Sequence, residues 1–285
     1  MSSALAADIP WAFRPTGLDD IPFVAFDTET TGLHASDRLV ELAGVRFRGE
    51  EVEAEWASLV NPGVPIPEAA SSIHGLRDDA VASAPPATAV LPAFLGFIQG
   101  AALVGHNSPF DVRVLALELL RAGLPLPDNP VLDTCALSRR LGLDVPNHRL
   151  GTLAQAFGVR CGTGHRALAD ARVARQLLRA YLQQLGGAAE GMVRRDLTLE
   201  PLLLSFRRFA GEPVPDSPLV SLMRRARAEG RAVLVAAAGA GPRPVVPRDL
   251  YVLGGTLYIE ADCLDDGSVR TFAADQLHLA RLDRA

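Results

Sequence analysis

The chain has 285 residues, 48% of them hydrophobic and 21% charged, a length that suits about two domains and a balance typical of globular proteins that bury real cores. All 28 basic residues are arginine, set against 33 acidic ones for a formal net charge of −5, which excludes the strongly basic footprint of a tight duplex-DNA binder. The cysteines, Cys135, Cys161 and Cys263, are far apart with no C-x-x-C spacing, which argues against a disulfide framework or a cysteine zinc site and fits reduced thiols in a cytoplasmic protein.

In chain order, the first residues, M-S-S-A-L-A-A-D-I-P-W, lack the basic stretch and apolar core of a cleaved signal. Phe23 to Leu33, F-V-A-F-D-T-E-T-T-G-L, begins as an apolar strand and ends at Gly32. Leu39 to Phe47 and Val52 to Val60 read as two further strands, joined by a hairpin with Gly49 in its turn. N-P-G-V-P-I-P is loop, since three prolines in seven residues exclude helix. A short helical turn is expected after Ile73-His74-Gly75-Leu76, and a helix over Ala87 to Ile98 despite Pro92. Ala101 to Val104 reads as a buried strand ended by Gly105.

From Phe110 the spacing predicts an amphipathic helix with Val114, Leu115, Leu117 and Leu120 inward and Gly123 as its stop. Asp111 falls in its first turn, where the helix dipole favours a carboxylate. Val131 to Asp133 is a strand leading to a helix from Thr134; Leu150 to Phe157 and His165 to Leu185 are further helices. A hairpin followed by alternating strands and helices gives an α/β layered fold with a mixed sheet.

Gly186 to Gly191 reads as a flexible hinge, so the first domain is expected over residues 20–185, after an N-terminal extension of residues 1–19. Residues 186–216 are a linker in which Met192 to Phe209 has helical character limited by Pro201. Ser217-Pro218 opens a short helix that Gly230 stops. Ala232 to Ala236, Pro244 to Val246, Tyr251 to Leu253, Thr256 to Asp262, Ser268 to Phe272 and Leu277 to Leu282 are short β-type runs, so residues 217–285 form a small all-β module. The longest small apolar run, Ala232 to Gly241, is far below the ~18 residues of a membrane span.

The chemistry starts at Asp27 and Glu29. Residues i and i+2 of a strand share a face, so the two carboxylates stand side by side and repel. Asp111, Asp170 and His165 are the remaining candidates, with His165 in the loop entering the last helix and Asp170 one turn inside it. Four converging carboxylates are destabilising without cations. Two divalent ions roughly 3.5–4 Å apart neutralise such a set and suit an in-line phosphoryl displacement, for which a histidine can deprotonate the attacking water. Hard oxygen ligands favour Mg²⁺ or Mn²⁺.

F-D-T-E-T-T-G-L, I-H-G-L, L-V-G-H-N-S-P-F-D and H-R-A-L-A-D together resemble the successive motifs of the DEDDh 3′-to-5′ exonucleases, of the kind found in the proofreading epsilon subunit of bacterial DNA polymerase III. The resemblance spans about residues 20–185 and implies a ribonuclease-H-like exonuclease fold with a five-stranded mixed sheet. It implies Asp27, Glu29, Asp111 and Asp170 as metal ligands and His165 as general base. It also implies that Thr28, Thr30, Thr31, Gly32 and Leu33 hold the 3′-terminal nucleotide, with His74 and Asn107 near the substrate. His106 reads as a strand-end residue bonded to backbone. Asp133 resembles a structural aspartate that caps the following helix. Arg139, Arg140, Arg149 and Arg166 are either a phosphate path or solvated surface.

P-R-P-V-V-P-R-D-L, G-G-T-L-Y-I-E-A-D-C and V-R-T-F-A-A-D-Q-L resemble the SH3-like barrel of WYL domains, with Leu257-Tyr258-Ile259 in place of Trp-Tyr-Leu. Arg243, Arg248 and Arg270 are its candidate phosphate-binding face, and a barrel that only packs against the exonuclease domain is the alternative. The implied function is trimming of single-stranded DNA from its 3′ end in proofreading or repair. Trimming of RNA and a non-catalytic nucleic-acid or partner-binding scaffold are the alternatives. L-T-L-E-P-L-L-L-S-F lacks the leading glutamine of a clamp-binding peptide, and Gln276-Leu277-His278-Leu279 falls in an expected strand. A stand-alone repair or accessory nuclease, with a polymerase or repair partner through the C-terminal module, therefore fits better than a core replicase subunit.

Overall fold

A computed structural model describes residues 17–161, 165–198, 206, 214–237, 241–253 and 256–282. Most of the expected N-terminal extension, Gly164, most of the stretch 199–213 and Gly254-Gly255 lie outside the described residues. The chain divides into two compact units, one running to Arg207 and the other containing residues 208–285 together with His34–Asp37. Among the described residues no helix is long and apolar enough to cross a membrane.

The first unit is built on strands β1 (Phe23–Thr30), β2 (Leu39–Arg48) and β3 (Glu51–Leu59), then helices α1 (Glu68–His74), α2 (Asp78–Val81) and α3 (Ala87–Ile98). Strand β4 (Ala102–Gly105), helix α4 (Pro109–Arg121), strand β5 (Val131–Asp133) and helices α5 (Thr134–Arg140), α6 (Leu150–Ala156) and α7 (Ala167–Leu185) follow. The sheet order is β3-β2-β1-β4-β5, with the hairpin pairs antiparallel and β1-β4 and β4-β5 parallel. This is the five-stranded mixed sheet expected from the sequence. Strand β1 is central, and its alternation sets the layers. Phe23 and Ala25 join Leu177, Leu178 and Tyr181 of α7 in one core, while Phe26 faces Phe94 of α3 across 6.4 Å between ring centroids.

Three local readings need correction. Gly186 to Gly191 is no hinge: Gly187–Thr198 forms helix α8, whose Ala189, Val193 and Leu197 are buried in the same core as α7. Small residues permit a loop but do not impose one, and burial at i, i+4 and i+8 decides for helix. Replacing Val193 with Asp is expected to destabilise the unit by about 3 kcal/mol or more, as an unpaired buried charge, read by denaturant unfolding. In α4 the buried face is Val112, Val114, Leu115, Ala116 and Leu119, with Leu120 exposed. Glu118 also turns inward, because it receives Arg38 at 2.7 Å and Arg121 at 3.1 Å. Helix α1 occupies residues read as the approach to a turn; it lies between Pro67 and Gly75, whose φ of 75° gives the left-handed cap.

The second unit has helix α9 (Pro218–Glu229), opened by Ser217 Oγ accepting the Val220 N–H at 3.2 Å. Strands β6 (Val233–Ala237), β7 (Arg243–Leu253), β8 (Thr256–Cys263), β9 (Val269–Ala273) and β10 (Leu277–Leu282) form a sheet of order β10-β6-β7-β8-β9. Every pair is antiparallel. The runs at Pro244 and Tyr251 are one strand rather than two, because a register shift between Pro247 and Asp249 absorbs the proline. Met223 and Ala226 of α9 pack on Val233, Val235, Val245, Ile259 and Ala261.

Candidate metal centre and active site

The face of β1 that carries Phe23 and Ala25 under α7 ends in Asp27 and Glu29. Helix α7 starts above this end and brings Asp170 in its first turn. Oxygens of Asp27, Glu29 and Asp170 lie within 4.8 Å of one another. Asp111 arrives from the first turn of α4 and is 4% exposed. Its Oδ1 accepts the Thr28 N–H at 3.0 Å and the Thr28 hydroxyl at 2.6 Å. Three of the four predicted carboxylates thus converge, and the fourth is tied to the same strand through Thr28.

Gly105 makes the approach of α4 possible. A Cβ there would lie 2.5 Å from Ser108 Oγ and 3.2 Å from Ser108 Cβ, so a larger residue would push the buried Ser108 away from the end of β4.

The electrostatics leave this cluster short of positive charge. Burial, then the Asp111, Glu29 and Asp170 carboxylates, hold the Asp27 carboxyl well above its ordinary range. Glu29 is pushed up to about 8, first by burial and then by Asp170, Glu41 and Asp111, with Arg166 pulling the other way. Burial pushes Asp111 up to about 7 against the two Thr28 hydrogen bonds, and raises Asp170 against the pull of His165. A divalent cation is the counter-charge that such a set of hard oxygen donors fits.

A pH dependence follows for the metal-free chain. Above the ordinary carboxylate range the unfolded chain has lost protons that folded Glu29 and Asp111 keep, so stability falls with rising pH until about 7 to 8. His74 and His106, both lowered by burial, act oppositely below about 6.5. Thermal melting in chelator is therefore expected to weaken between about pH 6.5 and 8; Mg²⁺ or Mn²⁺ is expected to remove the decline, and the change Glu29→Gln to reduce it, since Asp27 and Asp111 remain.

His165 lies in the loop before α7, with its side chain 67% exposed and Nδ1 3.6 Å from Asp170 Oδ2. The next residue fixes that loop. Arg166 donates through Nε and Nη2 to Glu41 at 3.0 and 2.7 Å, and the Ala167 N–H adds a third bond at 3.1 Å. Glu41 pairs across the hairpin with Glu29. Sequence reading missed its role; the signal was a glutamate inside the otherwise apolar L-V-E-L-A of β2.

The segment after Glu29 is braced rather than loose. Thr30 Oγ1 donates to the Gly32 carbonyl at 2.6 Å. Thr31 and Arg38 bond reciprocally, N–H to carbonyl and N–H to hydroxyl, both at 2.9 Å. His74 Nδ1 accepts the Leu76 N–H at 3.0 Å, so Nε2 carries the proton that it donates to the Thr30 carbonyl at 3.2 Å. His74 thus supports the segment from behind, and Thr28 holds Asp111. Leu33 is 70% exposed, and Arg113 Nη2 grips its carbonyl at 2.5 Å.

An open groove of about 950 Å³ is lined by Asp27, His165 and Asp170 together with Asn107, His148, Arg139 and Arg149. Asn107 holds a φ of 61°, and its N–H bonds Asp133 Oδ1, which also caps α5 through the Cys135 N–H, each at 2.9 Å. His106 pairs with Thr134 Oγ1 at 2.9 Å and the His148 carbonyl at 3.0 Å, the backbone-bonded role expected of it. Of the four arginines proposed for a phosphate path, Arg140 is bound to Asp196 and Arg166 to Glu41.

Residues 24–178 match a family model described as Exonuclease. The chain is 38% identical over 164 residues to a DNA polymerase III PolC-type protein of Caldanaerobacter subterraneus subsp. tengcongensis, covering 57% of this chain and 12% of that protein. It is 43% identical over 152 residues to a DNA polymerase III subunit epsilon-like protein of Rhodobacter capsulatus, covering 52% and 21%. The chain therefore spans only a minor part of the length of these curated relatives. Among solved structures, exonuclease X in complex with 5′ overhanging duplex DNA matches with a TM-score of 0.50 and 30% identity, covering 62% of this chain and 99% of that one.

Proposed function

Because the chain belongs to the exonuclease family, we propose that it is a metal-dependent DEDDh-type 3′-to-5′ exonuclease that removes nucleotides from single-stranded DNA, in repair or proofreading. The observation that carries this reading is the convergence of Asp27, Glu29 and Asp170 beside Asp111, with exposed His165 lining the same open groove.

Asp27, Glu29, Asp111 and Asp170 would hold the metal, taken as two Mg²⁺ or Mn²⁺ ions, which would supply positive charge for the phosphoryl oxygens. Asp170 faces His165 Nδ1, which leaves Nε2 to take the proton of the attacking water. The water oxygen bonds to phosphorus, the P–O3′ bond breaks, and a nucleoside 5′-monophosphate leaves. Thr30 to Leu33, stiffened by His74 and Arg38, place the terminal nucleotide, with Leu33 against its base. The C-terminal unit is read as a WYL-like barrel that offers a nucleic-acid or partner surface.

Time courses on 5′-labelled DNA and RNA strands of one sequence, with Mg²⁺ or Mn²⁺, test the reading. Stepwise shortening of DNA at a higher rate than RNA is expected. Faster loss of RNA would make the chain an exoribonuclease, and no metal-dependent loss of either would remove the enzyme reading.

A further inference from the structure

Arginine is the only strong cation in this chain, and most of it is spent on internal pairs. Arg38, Arg46, Arg140, Arg166, Arg172 and Arg179 are each tied to a carboxylate. Among the described residues of the first unit, Arg139, Arg149 and Arg160 have guanidinium groups with no carboxylate or carbonyl partner. All three are exposed. Two of them, Arg139 at the end of α5 and Arg149 just before α6, line the same groove as Asp27, His165 and Asp170.

An acidic cluster repels a polyanion, so a strand that reaches it needs cations along its approach. A guanidinium offers five donors in a planar fork matched to phosphate oxygens, and one without an internal partner loses no ion pair when it binds. Asn147 fixes the chain between the two arginines, since its Oδ1 accepts the Arg149 N–H at 3.1 Å and the Thr152 hydroxyl at 2.9 Å.

We infer that Arg139 and Arg149 bind internucleotide phosphates upstream of the scissile bond, and that the single strand runs to the carboxylates along this groove. The inference rests on the exonuclease reading and adds a subsite to it.

Steady-state shortening of a short single-stranded DNA, measured against salt on the full chain, tests it. The double change R139A/R149A is expected to raise KM roughly tenfold with little change in kcat, and to reduce the slope of log KM on log salt by about 1.4, ~0.7 for each lost phosphate contact. R139K/R149K keeps both charges and should recover most of the affinity. R160A removes an equally exposed, unpaired arginine outside the groove and should leave KM in place. An equal rise in KM for R160A, or an unchanged KM and salt slope in R139A/R149A, would overturn the subsite. Failure of the exonuclease reading shows separately, as no metal-dependent shortening by the unmodified chain.

Discussion

Replacing Asp27 with Asn is expected to lower the rate of strand shortening by about 10⁴-fold, some 5.4 kcal/mol of transition-state stabilisation, while raising the melting temperature of the metal-free chain. The two effects have one cause. Asp27 sits where burial and four neighbouring carboxylates, Asp111, Glu29, Asp170 and Glu41, all oppose its charge. An amide of the same shape removes the repulsion, for a gain of about 1–3 kcal/mol without metal, and removes a metal ligand. Thermal melting with and without Mn²⁺, beside a rate assay, reads both. A variant that loses activity but melts higher, and no longer responds to Mn²⁺, separates a lost metal ligand from misfolding. A lower melting temperature would show that Asp27 is a structural residue held by contacts other than a cation.

Replacing His165 with Ala is expected to cost 10²- to 10⁴-fold in kcat, the usual worth of a positioned general base. The fold should be indifferent, because the side chain is 67% exposed and pairs with Asp170 only at 3.6 Å. Unlike Asp27→Asn, this variant keeps its carboxylates, so Mn²⁺ should still raise its melting temperature. Added imidazole should restore part of the rate. A loss that imidazole does not relieve, joined to a lost response to Mn²⁺, would place His165 among the metal ligands instead.

The side-by-side placement of Asp27 and Glu29 was legible because a strand's period of two is strict: with Phe23 and Ala25 inward, both carboxylates had to follow on the same face. His165 was legible because the apolar spacing of α7 begins after it. What local pattern could not show was pairing across the chain. Arg166 reads as a phosphate contact or as solvated surface until Glu41, 125 residues away, is seen to occupy it. His74 reads as a substrate residue, yet both ring nitrogens serve the backbone of Thr30 and Leu76. Helix α8 escaped notice for a related reason, since Ala189 and Val193 become helical through burial beside α7 rather than through propensity. The phase of α4 turned on Glu118, which a pattern of apolar residues alone assigns to the surface.

We propose that the carboxylates at the end of β1 hold metal for cutting a strand at its 3′ end. Digestion of a 5′-labelled single-stranded DNA by the full chain, in Mn²⁺ and in chelator, tests it most directly. A ladder that shortens one nucleotide at a time in Mn²⁺, releases nucleoside 5′-monophosphates and vanishes in chelator is the predicted result. Shortening that persists in chelator, or cutting within the strand without a ladder, would contradict it.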